Sequence, residues 1–318
     1  MTNRGPGLTE TLAFLPSNSA PLPGVGIVAR VRLFGDMHFG FTSAVRLAAV
    51  AEDLAALPPV DAILSTGDET HFGLPAEYAA ASQWLGQWRV PFYTVTGNHT
   101  FWNASLRHKE TSAAQYQRFV ETWGQSMPFT WELGGVRFVG AGPMASDGTP
   151  TGASLTLGEI EALASTLAAA PAQPTVLVLH SPFRHTVLGD GGSANSVYTS
   201  DDFGFFQTHG ARLLSLLAAA PQVILVINGH THSPLRAHGL LSPIAVGSRQ
   251  IPQFNAMALP FVRRDVPNGQ HYLQDLVSWE LAITTNSIVL SGRDHLARQY
   301  VARTTIPLPT QSSGPLSV

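Results

Sequence analysis

The sequence contains no cysteine among its 318 residues, and charged residues make up only 12% of it. The absence of thiols excludes a disulfide framework, a zinc ribbon and cysteine-based catalysis, and it fits either side of a membrane. The net charge is −3 and the pI is about 6.4, so no broad positive field is present. We therefore do not expect a nucleic acid as partner.

Long apolar runs are also missing. The N-terminus has no apolar core before Pro16 that is long enough for a signal peptide, and the most apolar stretch, 213–227, is interrupted by Pro221 and Gln222. This stretch is too short to span a bilayer. We expect a soluble, cytoplasmic protein without a membrane partner, and the oligomeric state stays open.

Proline, glycine and serine mark the two ends of the chain. Residues 1–24 are predicted to be a poorly ordered lead-in, and residues 306–318 a flexible C-terminal tail. Residues 25–305 are predicted to form a single domain, because the polar blocks described below are spread over most of this length.

Short apolar runs alternate with helical segments, which is typical of buried strands in an α/β sheet. Strands are predicted at 31–34, 62–64, 93–95, 136–140, 176–179 and 223–227, and helices at 47–57, 77–88, 110–123, 156–169 and 203–220. The fourth helix opens with Thr156 and Glu159, a capping-box pattern. Two further strands, at 276–283 and 287–290, make the later sheet antiparallel or mixed.

Polar blocks follow five of these strands. They are Asp36-Met37-His38, Gly67-Asp68, Gly97-Asn98-His99, His180 and Gly229-His230-Thr231-His232. Ligands of α/β sheets bind at the carboxyl ends of strands, so we expect the five blocks to converge. Residues two apart share a face of an extended chain, so Asp36 and His38 can chelate one ion, and His230 and His232 repeat this spacing. Aspartate, asparagine and histidine together predict a site for two hard-to-borderline metal ions.

The order of these blocks resembles the calcineurin-like metallophosphoesterase superfamily over roughly residues 30–235, and more narrowly its cyclic-nucleotide phosphodiesterase-like branch. The resemblance implies a four-layer α-β-β-α sandwich of two mixed sheets flanked by helices. It also implies that Asp36, His38 and His232 hold one metal ion, that Asn98, His180 and His230 hold the other, and that Asp68 bridges both. His99 and Asp68 are the implied catalytic residues, with His99 assisting the leaving oxygen.

The chemistry implied by this resemblance is hydrolysis of a small phosphodiester, possibly a nucleotide. Two ions about 3.5–4 Å apart activate a bridging hydroxide, which attacks phosphorus in line. The ligand set suits Mn, Fe, Zn, Ni or Co, and the identity of the ions stays open. The alternatives are a phosphomonoesterase of the same superfamily and a catalytically weak, metal-binding interaction scaffold.

Two positions depart from the family pattern. Thr100 stands where an acidic residue usually orients the catalytic histidine, and a hydroxyl does not raise an imidazole pKa as a carboxylate does. This departure is the one feature that favours the scaffold. His71 stands where an aspartate is common, and we expect it to have a hydrogen-bonding role.

Substrate contacts are predicted on both sides of the site. Trp102 and Asn103 follow His99 and could stack on a nucleobase and bond to it, although Trp102 is equally suited to the core. Arg107 lies in a small basic cluster that suits either the site mouth or a solvated helix start. Arg184 and His185 open a glycine-rich stretch, 184–202, that we interpret as a lid or recognition loop. The remaining histidines, including His295, are expected to be hydrogen-bonded core or surface residues.

Overall fold

Two mixed β-sheets pack face to face in the computed structural model of the chain. The structure describes residues 12–19, 22, 26–102, 110–144, 152–187, 199–202, 204–235, 237–259, 262–263, 272–273 and 276–309. All statements below concern these residues.

The larger sheet has seven strands in the described part of the chain, in the order β1-β15-β14-β13-β2-β3-β4. These strands are β1 (Ala13–Ser19), β2 (Ile27–Phe34), β3 (Ala62–Ser65), β4 (Phe92–Thr94), β13 (Val277–Thr284), β14 (Ser287–Asp294) and β15 (Gln299–Pro307). Strands β2, β3 and β4 are parallel to one another, and the other pairings are antiparallel. The sheet is therefore mixed.

The second sheet has six strands among the described residues, in the order β5-β6-β7-β8-β10-β9. They are β5 (Phe129–Leu133), β6 (Val136–Gly140), β7 (Thr175–Val178), β8 (Val223–Asn228), β9 (Leu241–Val246) and β10 (Arg249–Asn255), while β11 (Val262–Arg263) and β12 (Tyr272–Leu273) form a separate short ladder. The four central strands are parallel, and β5 and β9 are antiparallel edges.

The described residues contain five α-helices that flank the two sheets and one short 3₁₀ helix, Asn98–Phe101. The α-helices are α1 (Ala44–Ala55), α2 (Pro75–Gly86), α3 (Ser112–Trp123), α4 (Leu157–Ala168) and α5 (Gly210–Ala219). The predicted capping box of α4 is confirmed, because the Thr156 N–H donates to Glu159 Oε2 at 2.7 Å and the Glu159 N–H to Thr156 Oγ1 at 3.3 Å. Among the residues that the structure describes, no helix is both long enough and apolar enough to cross a bilayer.

Successive side chains of a strand point to opposite faces of its sheet. Each sheet therefore packs against the other sheet on one face and against helices on the other, which gives four layers. On β2, Val31 and Leu33 point into a core shared with residues of the second sheet such as Val176. Phe34 points the other way, into a cluster with α1 and α2. The outer face of the second sheet is covered by α4 and α5 in the same manner. The predicted α-β-β-α sandwich of two mixed sheets is confirmed.

The predicted lead-in and the predicted fifth helix differ from the structure. Within the predicted lead-in, 1–24, Ala13–Ser19 form strand β1, which pairs antiparallel with β15. The helix predicted to start at residue 203 begins only at Gly210, because the Gln207 N–H donates to the Pro182 carbonyl at 2.9 Å and holds the chain in a turn. The single-domain boundaries stay a prediction.

Candidate functional site

The five polar blocks lie together at the carboxyl ends of strands from both sheets. Strands β2, β3 and β4 end just before the first three blocks, and β7 and β8 end just before the last two. We refer to the predicted ligands as the metal cluster: Asp36, His38, Asp68, Asn98, His180, His230 and His232. All except the half-buried Asn98 are buried. The structure therefore brings together every residue predicted to hold a metal ion.

Four members of the metal cluster have a left-handed backbone. The φ angles are 48° at His38, 56° at Asp68, 69° at His230 and 48° at His232. This conformation costs a non-glycine residue on the order of 1–3 kcal/mol, and such strain concentrates at functional sites. The surrounding strands hold these side chains in place against that cost.

Asp68 lies at the centre of one half of the metal cluster. Its Oδ2 is 3.1 Å from His180 Nε2, and its Oδ1 accepts the His99 N–H at 2.9 Å. His180 Nε2 is also 3.1 Å from Asn98 Oδ1. One ligand atom each of Asp68, His180 and His230 lies within 4.8 Å of the others. This spacing suits a shared metal ion.

Asp36 lies in the other half, close to His232. Asp36 Oδ2 accepts the His230 N–H at 2.8 Å and is 3.8 Å from His232 Nε2. His232 Nε2 is in turn 2.9 Å from His38 Nε2. Asp36 Oδ1 is buried without a hydrogen-bond partner among the described residues, and its nearest ion-pair neighbour is His180 Nδ1 at 3.6 Å. An oxygen of this kind, beside facing imidazoles, fits a metal ion.

Backbone carbonyls fix three imidazoles. His180 Nδ1–H donates to the Thr66 carbonyl at 2.8 Å, and His230 Nε2–H donates to the Gly204 carbonyl at 2.9 Å. His99 Nδ1–H donates to the His71 carbonyl at 2.6 Å. A metal-ligating histidine is typically oriented by such a bond from its other ring nitrogen. The bonds leave His180 Nε2 and His230 Nδ1 for the metal cluster.

Burial and the charges of neighbouring side chains shift the pKa values of Asp36, Asp68 and His180 in different directions. Burial and the nearby Asp68 carboxylate raise the pKa of Asp36 well above its usual range, although His180 opposes this. Burial disfavours charge on Asp68 as well, but His180 and His99 outweigh it and hold its pKa well below the usual range. Burial likewise opposes charge on His180, yet Asp68 and Asp36 raise its pKa to about 9.

The other imidazoles are held neutral. Burial lowers the pKa of His230 to about 3 and that of His99 to about 4. Burial and the neighbouring His99 lower the pKa values of His38 and His232 well below the usual range. Neutral imidazoles are the form that binds metal ions.

At two glycines of the sequence blocks, neighbouring side chains lie too close to leave room for a Cβ atom. A Cβ on Gly97 would lie 2.1 Å from Asp68 Oδ1, and one on Gly67 would lie 2.9 Å from His180 Nδ1. Gly67 also has a φ of 100°, which a larger residue rarely adopts. The space beside Asp68 is therefore kept free of side-chain carbon.

The two departures from the family pattern have structural explanations. Thr100 does not orient His99: its Oγ1 accepts the Gly97 N–H at 3.2 Å, while His99 is held by the His71 carbonyl instead. The His71 side chain reaches the site as well, with Nδ1 3.4 Å from His38 Nδ1. The hydrogen-bonding role expected for His71 agrees with this geometry.

The predicted substrate residues have different outcomes. The Trp102 ring lies against His99, with centroids 3.7 Å apart, so Trp102 adjoins the site. Arg184 and His185 are exposed and approach Asp201 Oδ1 at 3.8 and 2.5 Å. Asn103 and Arg107 lie outside the described residues, as does most of the proposed recognition loop.

Sequence reasoning missed the segment that packs on His230. Besides the bond from His230 to the Gly204 carbonyl, the Phe205 ring stacks on the His230 ring, with centroids 4.6 Å apart and planes at 19°. The next residue, Phe206, lies under the Arg184 guanidinium at 4.8 Å. Both phenylalanines lie in the predicted helix 203–220, and no pattern in the sequence indicates that either of them contacts His230.

Comparisons with known proteins agree with this arrangement. The family model described as calcineurin-like phosphoesterase matches residues 29–234. A probable cyclic nucleotide phosphodiesterase of Synechococcus is 27% identical over 248 residues, which cover 74% of this chain and 79% of the relative.

Solved structures show a similar fold. A dimetal phosphatase from Danio rerio has a TM-score of 0.56 at 12% identity, covering 89% of this chain and 100% of that one. GAP50, described as the anchor in the inner membrane complex of Plasmodium, has a TM-score of 0.57 at 15% identity, covering 89% of this chain and 90% of its own. A purple acid phosphatase from yellow lupin has a TM-score of 0.54 at 17% identity, covering 90% of this chain and 55% of its own.

Proposed function

The chain belongs to the calcineurin-like phosphoesterase family, and we propose that it hydrolyses a small phosphodiester with two metal ions held by the metal cluster. Family membership supports a metal-dependent phosphoester hydrolase. The observation that carries the proposal is the meeting of both halves of the cluster around two buried carboxylates, Asp36 and Asp68. The phosphodiesterase relative supports a diester, and a nucleotide, as substrate.

The residues would divide between two ions, and the end of β8 would supply one histidine to each. Asp36, His38 and His232 would hold one ion, and Asn98, His180 and His230 the other. Asp68 would contact both ions, as the family resemblance implies; its Oδ1 accepts the His99 N–H and its Oδ2 lies 3.1 Å from His180 Nε2. Two bound ions would polarise the phosphoryl oxygens and lower the pKa of an attacking water. Nitrogen and oxygen donors favour Mn, Fe, Zn, Ni or Co.

The chain's own residues position the substrate and the leaving oxygen. The His71 carbonyl accepts the His99 Nδ1–H, which leaves Nε2 on the side of the leaving oxygen. Nε2 donates to that oxygen only in the protonated imidazolium, because the neutral ring carries its one proton on Nδ1. Trp102 limits the movement of the His99 ring from one side, and His38 does so from the other at a centroid distance of 4.4 Å. Because burial keeps His99 neutral, the proposal favours a substrate whose leaving oxygen needs little protonation. The cytoplasmic location stays a prediction.

The test compares hydrolysis of bis-p-nitrophenyl phosphate and p-nitrophenyl phosphate by protein stripped of metal and reloaded with Mn(II). The Asp68→Asn variant removes the shared carboxylate. Asp294→Asn is the matched control, because Asp294 Oδ1 only caps a turn at Leu296 N and Ala297 N and an amide oxygen can replace it.

Diester turnover that is lost in Asp68→Asn and kept in Asp294→Asn would support the proposal. Turnover of the monoester alone would replace it with a phosphomonoesterase. Two bound metal ions without turnover of either ester, or of cyclic nucleotides, would replace it with the scaffold.

A further inference from the structure

Asn255 is a buried amide at the end of β10, outside the five polar blocks. It pairs with Asn228 of β8 in the parallel register of the second sheet, and both residues are fully buried. Their two strands end side by side, next to the block that follows β8. A buried amide is stable only where its donors and acceptor find partners, so the partners of Asn255 show what the residue holds.

The amide nitrogen of Asn255 holds the turn that follows β8. Its Nδ2 donates to the Gly229 carbonyl at 2.8 Å and to Asn228 Oδ1 at 2.8 Å. Gly229 directly precedes His230, and the same turn carries His232. The bond to Gly229 therefore fixes the main chain at the start of the turn that supplies one histidine to each proposed ligand set.

The amide oxygen of Asn255 acts on the turn that follows β2. Its Oδ1 accepts the Met257 N–H at 3.1 Å, and Met257 has a left-handed backbone with a φ of 65°. The Met257 carbonyl oxygen packs so closely against Gly35 that a Cβ on Gly35 would lie 1.4 Å from it. Because Gly35 directly precedes Asp36, this carbonyl limits where the turn of Asp36 can lie. The bond from Met257 to Asn255 helps to retain the strained backbone that places the carbonyl there.

The two turns meet in the metal cluster, where the His230 N–H donates to Asp36 Oδ2 at 2.8 Å. We propose that Asn255 is a positioning residue that holds these two turns, one from each sheet, at the separation that metal binding requires. It acts through Gly229 and Met257, as outer partners of metal ligands do when they preorganise a site. The inference rests on the proposed function, because it takes the cluster to bind metal ions.

Gln253 offers a matched control two residues earlier on β10, on the same face of the strand. It is also a fully buried amide. Its Oε1 accepts the Phe183 N–H at 2.9 Å and its Nε2 donates to Thr186 Oγ1 at 2.6 Å, so its bonds go to the 183–187 segment instead of to either turn. Asn255→Leu and Gln253→Met each replace a buried amide by an apolar side chain of similar size, and both leave buried partners unsatisfied.

Metal affinity tests the consequence for the cluster. We expect Asn255→Leu to bind Mn(II) about 10–100-fold more weakly than the wild type, the range for residues that orient a ligand, and Gln253→Met to bind it as the wild type does. Competition of the full chain with a chelating dye measures the affinity. Equal losses in both variants would reduce Asn255 to a stabiliser of β10, and an unchanged affinity in Asn255→Leu would remove its role. Either result would overturn the proposal.

Hydrogen exchange of the metal-free chain tests the link between the turns directly. The His230 amide is protected by its bond to Asp36, so we expect it to exchange at least about tenfold faster in Asn255→Leu and at the wild-type rate in Gln253→Met. NMR measures these rates, and a His230 amide that stays protected in Asn255→Leu would overturn the proposal.

The exchange rates also separate this inference from the proposed function. A wild type that binds no metal ion would contradict the proposed function, and the exchange rates would still decide whether Asn255 holds the two turns. Near-ultraviolet circular dichroism checks that each variant folds. Asn255→Ser and Gln253→Ser take the place of the first pair if Asn255→Leu does not fold, with the same expected results.

Discussion

Strand β2 contributes to two buried polar groups of residues that differ in how their charges are compensated. Arg30 and Arg32 lie on its outer face and belong to a group of buried charged residues that we refer to as the sheet cluster: Arg30, Arg32, Asp53, Glu280, Arg293 and His295. Asp36 of the metal cluster follows the end of the same strand. In the sheet cluster, opposite charges are in direct contact, as in the two bonds from Arg293 to Asp53. In the metal cluster, imidazole faces imidazole at 2.9 Å and the aspartates have opposite pKa shifts.

This difference separates buried charge that stabilises packing from buried charge that is arranged for a ligand. Fold-stabilising groups approach their partners with short bonds between opposite charges. Ligand-binding groups converge on one another and retain backbone strain. On this criterion the sheet cluster is structural, and the metal cluster is arranged for a ligand.

The largest expected effect is the loss of activity in Asp68→Asn. We expect diester hydrolysis to fall on the order of 1,000-fold, because the variant removes a preorganised negative group in a buried site. Initial rates with Mn(II)-loaded protein measure the effect, and circular dichroism checks that the fold is retained. Activity within tenfold of the wild type would show that Asp68 does not belong to the functional class of buried charge.

Asp53→Asn should affect stability instead of turnover. Removing this carboxylate leaves the buried Arg293 uncompensated, so we expect the free energy of unfolding to fall by about 3–5 kcal/mol. Urea unfolding followed by circular dichroism measures this change. The neighbouring Glu52→Gln is the matched control, because Glu52 pairs with Arg298 at the surface and its loss should produce no measurable change. A lower specific activity of the folded Asp53→Asn variant would contradict the distinction between a structural sheet cluster and a ligand-binding metal cluster.

The sheet cluster should also make stability depend on acid. Burial opposes the charge on Asp53, but the bonds from Arg293 and His295 outweigh it and lower the pKa of Asp53 below its usual range. Burial lowers the pKa of His295 as well. In both cases the unfolded chain binds more protons, so stability is lost as pH falls, first below about 6.5 for His295 and then below about 3.9 for Asp53. We expect urea midpoints to fall less steeply below pH 4 in Asp53→Asn than in the wild type, and parallel curves would contradict this.

Phe205→Ala should weaken the metal cluster without dismantling it. The variant removes the ring that stacks on His230, so we expect metal affinity to fall by about 10–100-fold, the range for residues that orient a ligand. Competition with a chelating dye measures the affinity directly. Phe206→Ala is the matched control, because Phe206 contacts Arg184. Equal affinity in both variants would remove Phe205 from the orienting role.

The smallest effect is expected for Thr100→Asp. A carboxylate at position 100 would restore the common family residue, but His99 Nδ1 already donates to the His71 carbonyl. We therefore expect the rate of diester hydrolysis to change by less than about fivefold, which corresponds to about 1 kcal/mol, the typical contribution of one hydrogen bond. A much larger gain would show that the His71 carbonyl is a poor substitute for an acid.

The sequence allowed the strand ends and their polar blocks to be predicted because both signals are local. A short β-branched run followed by Asp-x-His or Gly-His-x-His predicts a strand that ends in a turn. This prediction does not depend on where in the sequence the neighbouring strands lie. The sandwich followed from the family resemblance carried by those blocks. Both ends of the first four helices were predicted within three residues, since Thr156, Pro171 and similar residues act through their immediate neighbours.

Features that depend on distant contacts could not be predicted. Strand β1 reads as a proline-containing lead-in, and its pairing partner, the edge of β15, lies almost 300 residues further along the chain. The turn that precedes α5 is apolar and reads as helix, but Gln207 is held by the Pro182 carbonyl. The anchoring of His99 by a main-chain oxygen of residue 71 leaves no trace in the sequence, because any residue carries that oxygen.

The origin of the metal cluster in both sheets has a consequence for the order of folding. His38 and His232 touch although 194 positions separate them, and three strands of one sheet and two of the other must be in place before the seven side chains meet. Contacts of such long sequence separation form late, because the entropy of closing the intervening chain is lost first. A nascent chain that has not yet passed β8 therefore lacks two of the seven side chains, one from each proposed ligand set, and only the docked pair of sheets completes the metal cluster.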